Sequence, residues 1–200
     1  GRVKIGHAGT LDPLATGVLI LATGKMTKQI EKLQTHTKEY VATIQLGATT
    51  PSYDMEHEEN ETFPTEHITR ELIETALQQF IGDIEQVPPT YSAVKVNGQR
   101  AFDYRRNGED IVLKPKNIRI DEIEITHFDA DRMQLTLRVV CGKGTYIRAL
   151  ARDLGRAINS GAYLVALRRT RIGNIKVEEC INYDHFNEWL NQQNIEIVDK

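Results

Sequence analysis

Several stretches of this 200-residue chain hold residue types that could act together chemically. In Gly6-His7-Ala8-Gly9-Thr10-Leu11-Asp12-Pro13-Leu14-Ala15-Thr16-Gly17, glycines loosen the backbone and Pro13 stiffens it around a single acid. A residue before proline is pushed out of the helical region, so Asp12 is presented on an extended or turn backbone. A carboxylate between Leu11 and Pro13 in such a turn suits a nucleophile or an Asx-turn, and the residues alone leave both open. A phosphate-cradling loop fits less well, because Gly-Lys-Ser/Thr is missing and an acid repels an anion. In Gly142-Lys143-Gly144-Thr145-Tyr146-Ile147-Arg148, the glycines lead into a helix whose apolar stripe is Ile147, Leu150, Ala151, Leu154 and Ile158. Arg148, Arg152 and Arg156 recur every four residues on a neighbouring face. The second and third read as a solvated ridge beside Asp153. Arg148 sits in the first turn, where the helix dipole disfavours a cation, so it requires an anionic partner.

Three further stretches carry weaker signals. In Lys38-Glu39-Tyr40 the tyrosine shares the apolar face of a strand, either as a core aromatic or as a stacking surface. In Leu164-Val165-Ala166-Leu167-Arg168-Arg169-Thr170, alternation puts Leu167 and Arg169 on one face and Arg168 on the other. Pro88-Pro89-Thr90-Tyr91-Ser92-Ala93-Val94-Lys95, followed by Gly98, Arg100, Phe102, Tyr104, Arg105 and Arg106, interleaves cations with aromatics and has no periodicity. That mixture suits loop RNA, with aromatics for bases and cations for phosphates, or else a solubilising loop.

The elements that must position these groups form a recurring pattern. Val18 to Ala22 reads as a buried strand, Met26 to Leu33 as a short helix, and Lys38 to Leu46 as a strand with Tyr40, Ala42, Ile44 and Leu46 on one face. Thr49 to Glu66, acidic and containing Pro51 and Pro64, reads as a ragged connection. Thr69 is an N-cap for a helix with Leu72, Ile73, Ala76, Leu77 and Phe80 in one stripe, stopped at Gly82. Ile118 to Phe128 and Met133 to Cys141 form a hairpin around Asp129-Ala130-Asp131. A helix spans Thr145 to about Ile158, a strand Ala162 to Ile172, and a last short helix Asp184 to Leu190. Strands outnumber helices and follow one another at hairpin spacing, which predicts an α+β fold on a mixed, mostly antiparallel sheet flanked by helices.

The net charge of −3 conceals a segmented distribution. Lys and Arg against Asp and Glu number 6 to 3 over residues 1–50, 1 to 10 over 51–90, and 7 to 3 over 91–119. They number 2 to 5 over 120–140, 8 to 1 over 141–176, and 1 to 6 over 177–200. A fold that gathers the basic blocks builds a positive groove on an acidic body, and one that scatters them merely neutralises the surface. Cys141 and Cys180 are too few for a disulfide framework, and the six histidines lack zinc-ligand spacing, so reduced thiols, no metal and a cytoplasmic setting are expected. No apolar run approaches the ~20 residues that cross a bilayer, and no signal peptide opens the chain. The missing initiator Met and the early motif suggest further residues upstream.

The segment Gly-His-Ala-Gly-Thr-Leu-Asp-Pro-Leu-Ala-Thr-Gly-Val-Leu over 6–19 resembles the aspartate motif of pseudouridine synthases, in the version carried by the bacterial TruB family. Members isomerise uridine-55 in the T-loop of tRNA. Relatives that use guide RNA share the Gly-Thr-Leu-Asp-Pro core, and Leu14-Ala15-Thr16 favours the bacterial branch. The resemblance runs from Gly6 to roughly Val177 with the motifs in order, and it implies a pseudouridine synthase-like fold over residues 1–200, with a thumb-like RNA-binding insertion over 84–112. It departs at both ends: the family's N-terminal segment is absent, and nothing after Val177 looks like the RNA-binding PUA module.

The resemblance also implies roles. Asp12 is the nucleophile, Arg148 its partner, and Tyr40 stacks on the target base and is a candidate to take a ribose proton. Tyr146 lines the pocket, Leu167 packs on the uracil, and His7, Lys95 and Arg169 contact the substrate. The reaction breaks the N1–sugar bond, turns the uracil and rejoins it through C5, so no cofactor is needed. Attack by Asp12 on C1′, attack on C6, and a glycal route all stay open. A monomer acting on the tRNA T-arm is expected, away from any membrane. The competing reading is a non-catalytic RNA-binding or tRNA-chaperone domain; a phosphosugar enzyme would need the phosphate loop this chain lacks.

Overall fold

A computed structural model describes residues 3–92, 94–96, 98–107 and 111–193 of the chain. Its principal sheet has seven strands: β1 (Ala15–Gly17), β2 (Lys38–Leu46), β3 (Gly82–Gln86), β4 (Lys116–Asp129), β5 (Gln134–Cys141), β6 (Ala162–Ile172) and β7 (Ile175–Lys176). In space they run β7-β6-β2-β5-β4-β3 with antiparallel pairing, and β1 lies parallel along β6 through Leu167, Arg168 and Arg169. The fold is the mixed, mostly antiparallel α+β arrangement that the strand spacing predicts.

Period-2 alternation decides which face of this sheet is dry. Ala42, Ile44 and Leu46 of β2 and Leu135, Leu137 and Val139 of β5 are buried in one cluster. Helix α2 (Arg70–Leu77) contributes Ile73 and Leu77 to it, and the helix Ile147–Ala157, here α4, contributes Ile147, Leu150 and Leu154. Each fully buried Leu or Ile contributes about 1.5–3 kcal/mol. Thr69 caps α2 as expected, its hydroxyl accepting from the Leu72 amide at 3.2 Å. Gly155 lets α4 sit directly on the start of β6: a Cβ there would lie 2.5 Å from the Ala162 nitrogen.

The long periodic elements match the sequence closely, and the short ones differ. Residues 18–20 are not a strand; Leu21–Thr23 pairs instead with Ile5–His7, while β1 ends at Gly17. The cause is Gly17, whose φ of 106° and crowding by the Arg169 backbone turn the chain away from β6. The helix expected over Met26–Leu33 is a 3₁₀ segment, Gly24–Gln29, followed by α1 (Ile30–Gln34). Strand β3 had no sequence signal, and the acidic stretch after β2 contains the short pair Ala48–Thr49 with Glu61–Thr62. Within 84–112 the described residues hold a two-stranded hairpin, Lys95–Val96 with Gln99–Arg100, and helix α3 (Ala101–Arg106). The terminal helix α5 spans Phe186–Gln192. Among the described residues no helix is long and apolar enough to cross a membrane.

Candidate active site

The chain from Asp12 to Ala15 is a tight turn, closed by the Ala15 amide donating to the Asp12 carbonyl at 2.9 Å, with Pro13 at its second position. From this turn the Asp12 carboxylate points at Arg148 in the first turn of α4. Arg148 Nε donates to Asp12 Oδ2 at 2.9 Å and Nη2 to Oδ1 at 3.0 Å, a two-pronged pair of the kind that fixes orientation as well as charge. The Arg148 side chain is 4% exposed and that of Asp12 35%, so the acid faces open space while its partner is sealed below. The remaining nitrogen, Nη1, donates to the Ser52 carbonyl at 3.2 Å and lies 3.4 Å from Asp54 Oδ2. The anion that a cation in the first turn of a helix requires is therefore present twice.

The loop carrying Asp12 is held by a second buried arginine. Arg169 Nε donates to the Val18 carbonyl at 2.7 Å, Nη2 to that of Gly9 at 3.2 Å and Nη1 to that of Thr10 at 3.4 Å. The Val18 amide returns to the Arg169 carbonyl at 2.9 Å, continuing the β1–β6 register. Helix α4 begins without a side-chain cap at Tyr146. One of its orphan amides is met by buried Gln86, which accepts from the Tyr146 N–H at 2.9 Å and donates to the Tyr146 carbonyl at 3.1 Å.

These elements surround an open cavity of about 810 Å³. Asp12, Tyr40, Tyr146, Leu167, Arg148 and Arg169 all line it. Lys38 and Lys143 add cations from the first and fifth charge blocks, against Asp12 and Glu56, so two of the basic blocks do converge. Burial pushes the phenols of Tyr40 and Tyr146 above their ordinary range, keeping both neutral, while burial lowers the Lys38 ammonium. A neutral phenol ring and a leucine on the walls, with a carboxylate beside them, make a place for a planar polar ring.

Residues 1–147 match the model of the TruB family pseudouridylate synthase N-terminal domain, and residues 148–198 that of the tRNA pseudouridylate synthase B C-terminal domain. The chain belongs to the TruB family. It is 61% identical over 197 residues to tRNA pseudouridine synthase B of Phocaeicola vulgatus, spanning 98% of this chain and 83% of that one. With the Bacteroides fragilis protein of the same name it shares 60% over 198 residues, 99% and 84% of the two chains, and with that of Flavobacterium johnsoniae 51% over 189 residues, 94% and 82%. Among solved structures, a chain of a Cbf5–Nop10–Gar1 complex superposes with a TM-score of 0.69 at 29% identity, and one of an H/ACA RNP bound to a substrate RNA containing 2′-deoxyuridine with 0.64 at 25%. Both matches cover 96% of this chain and about half of the other, 49% and 48%.

Within this TruB-family framework, Asp12, Arg148, Tyr40, Tyr146, Leu167 and Arg169 are brought together. His7 is not: it is exposed in its short strand and stands outside the cavity lining. Arg169 lines the cavity and also donates to the loop carbonyls of Gly9, Thr10 and Val18. The Lys95 side chain lies outside the described residues. Arg152, read as part of a solvated ridge, is buried, donating to Asp153 and to the Val87 carbonyl at 2.8 Å and lying 5.5 Å from the Tyr53 ring centroid.

Sequence reasoning missed Asp54, 5% exposed, and Gln86, 2% exposed. Asp54 sits in an acid-rich stretch whose other carboxylates are solvated, so nothing in composition singles it out. The available signal was electrostatic: a buried arginine that serves a half-buried acid needs a second anion.

Proposed function

We propose that this chain converts uridine-55 in the T-loop of tRNA to pseudouridine, with Asp12 as the nucleophile. The observation that carries the reading is the two-pronged Arg148–Asp12 pair at the base of a cavity walled by Tyr40, Tyr146 and Leu167. The names of its TruB relatives, tRNA pseudouridine synthase B, support the same reaction on the same class of substrate.

The target nucleotide leaves its stack and enters the cavity, as chemistry on a base requires. Tyr40 offers a neutral ring face, worth about 1–3 kcal/mol of stacking. Held by Arg148 through both carboxylate oxygens, Asp12 is aimed at C1′ or at C6, or it stabilises a glycal-forming elimination. The N1–C1′ bond breaks, the uracil turns, the C1′–C5 bond forms, the C5 proton leaves to solvent, and N1 takes up a proton in its place. Arg169 holds the loop that carries the acid, and the cations Lys38 and Lys143 suit the flanking phosphates. Lys95 and the segment 84–112 are proposed as the RNA-gripping thumb.

The intact chain releases tritium from tRNA labelled with 5-³H-uridine, and a transcript in which only uridine-55 is replaced by cytidine releases none. Asp12→Asn abolishes release, by roughly 10⁴-fold or more, with tRNA binding retained. Release by Asp12→Asn at the parent rate would overturn the nucleophile. Firm binding without release by the parent chain would favour an RNA-chaperone domain.

A further inference from the structure

The acid–arginine pair does not end at Asp54. Ser52, fully buried, donates its hydroxyl hydrogen to Asp54 Oδ1 at 2.5 Å, and the Glu56 amide donates to the same oxygen at 3.0 Å. His57 Nδ1 lies 2.9 Å from the Ser52 hydroxyl oxygen. A serine hydroxyl has one hydrogen, and an ionised carboxylate can only accept, so that hydrogen belongs to the Ser52–Asp54 bond. The ring nitrogen must then be the donor, so Nδ1 of His57 carries a hydrogen. His57 is also a wall of the cavity, tilted 52° against the Tyr91 ring with centroids 4.8 Å apart. An unbroken donor chain thus runs from an exposed ring on the rim to the buried carboxylate beneath the nucleophile's partner: His57 to Ser52, Ser52 to Asp54, and Asp54 against Arg148, which holds Asp12.

We propose that His57 is a positioning residue for the reaction, fixing the Ser52 hydroxyl so that Asp54 holds Arg148 and Arg148 holds Asp12 in its attacking direction. With the imidazole removed, the Ser52 hydroxyl loses its donor and can rotate away from Asp54, leaving a buried carboxylate to compete with Asp12 for the same guanidinium. The inference rests on the proposed role of Asp12. It connects Tyr91, through the His57 ring, two hydrogen bonds and one ion pair, to the guanidinium.

The test uses the full chain with 5-³H-uridine tRNA and compares His57→Ala, His57→Asn, His57→Gln, Ser52→Ala and the double variant joining His57→Ala with Ser52→Ala, alongside Asp12→Asn. An asparagine amide puts an N–H where Nδ1–H stood; a glutamine amide puts it where Nε2 stood. The expected single-turnover rate falls about tenfold in His57→Ala and Ser52→Ala with KM unmoved, as loss of supporting geometry does. Asparagine recovers most of the rate and glutamine does not, and the double variant is no slower than either single one. Equal rates for the alanine and asparagine variants, a change confined to KM, or additive losses would each overturn the proposal, the second by making His57 an RNA contact. If Asp12→Asn still releases tritium, the reading of Asp12 itself fails; if it is silent while His57→Ala runs at the parent rate, only the positioning role fails.

Discussion

Arg148 and Arg169 are both buried and both reach the loop that carries Asp12, yet they grip it differently. Arg148, from a helix start, spends its donors on carboxylates, those of Asp12 and Asp54, plus one carbonyl. Arg169, from mid-strand, spends its donors on three carbonyls of residues 9, 10 and 18 and forms no ion pair among the described residues. One arginine sets the aim of the acid. The other sets where its backbone runs, and its guanidinium borders the same cavity. Catalytic electrostatics and loop geometry are thus assigned to separate side chains of the same type.

Substitutions can break that comparison. The largest effect is expected from Arg148→Met: tritium release falls roughly 10²–10³-fold, as when a charge-stabilising group is lost. Stability in urea drops by about 3–5 kcal/mol, because Asp54 is left as an uncompensated buried charge. Adding Asp54→Asn returns much of the stability and none of the activity. Arg169→Met is expected to reverse the emphasis, losing about 2–3 kcal/mol for the carbonyls stripped of donors but only about tenfold in rate. Equal profiles for the two variants would dissolve the distinction.

The smallest effect is chemical labelling. Burial pushes the Cys141 thiol up to about 11, so at pH 8 it is protonated and inaccessible, whereas Cys180 is exposed. Iodoacetamide at pH 8 should modify Cys180 first and Cys141 only on unfolding, measured by mass spectrometry. Arg169→Met should speed the labelling of Cys141, and Asp12→Asn should leave it unchanged.

How much of this was legible depended on length and on charge. Strands β2 and β6 span 9 and 11 residues, enough for alternation to declare both their existence and their inward faces, including the split between Leu167 with Arg169 and exposed Arg168. Strand β1, three residues long, has no room for a period, and its end is set by the close approach of Gly17 to the Arg169 backbone, a contact with a residue far along the chain. Arg148 announced its need for an anion because a cation in the first helical turn is a local contradiction. Asp54 announced nothing, since its burial follows from the tertiary position of an aperiodic loop. The same holds for Gln86, whose side chain substitutes for a helix cap that the local sequence lacks.

The separation in sequence between the partners has a consequence for how the enzyme comes into being. Asp12 and Arg148 are 136 positions apart, and Gly9 and Arg169 160. Contacts of such span are closed late, after the entropy of the intervening chain has been spent. A nascent chain that has emerged only as far as β5 carries Asp12 but has neither the guanidinium that aims it nor the strand that holds its loop. The acid and its partners therefore meet only when the second half of the protein folds back onto the first.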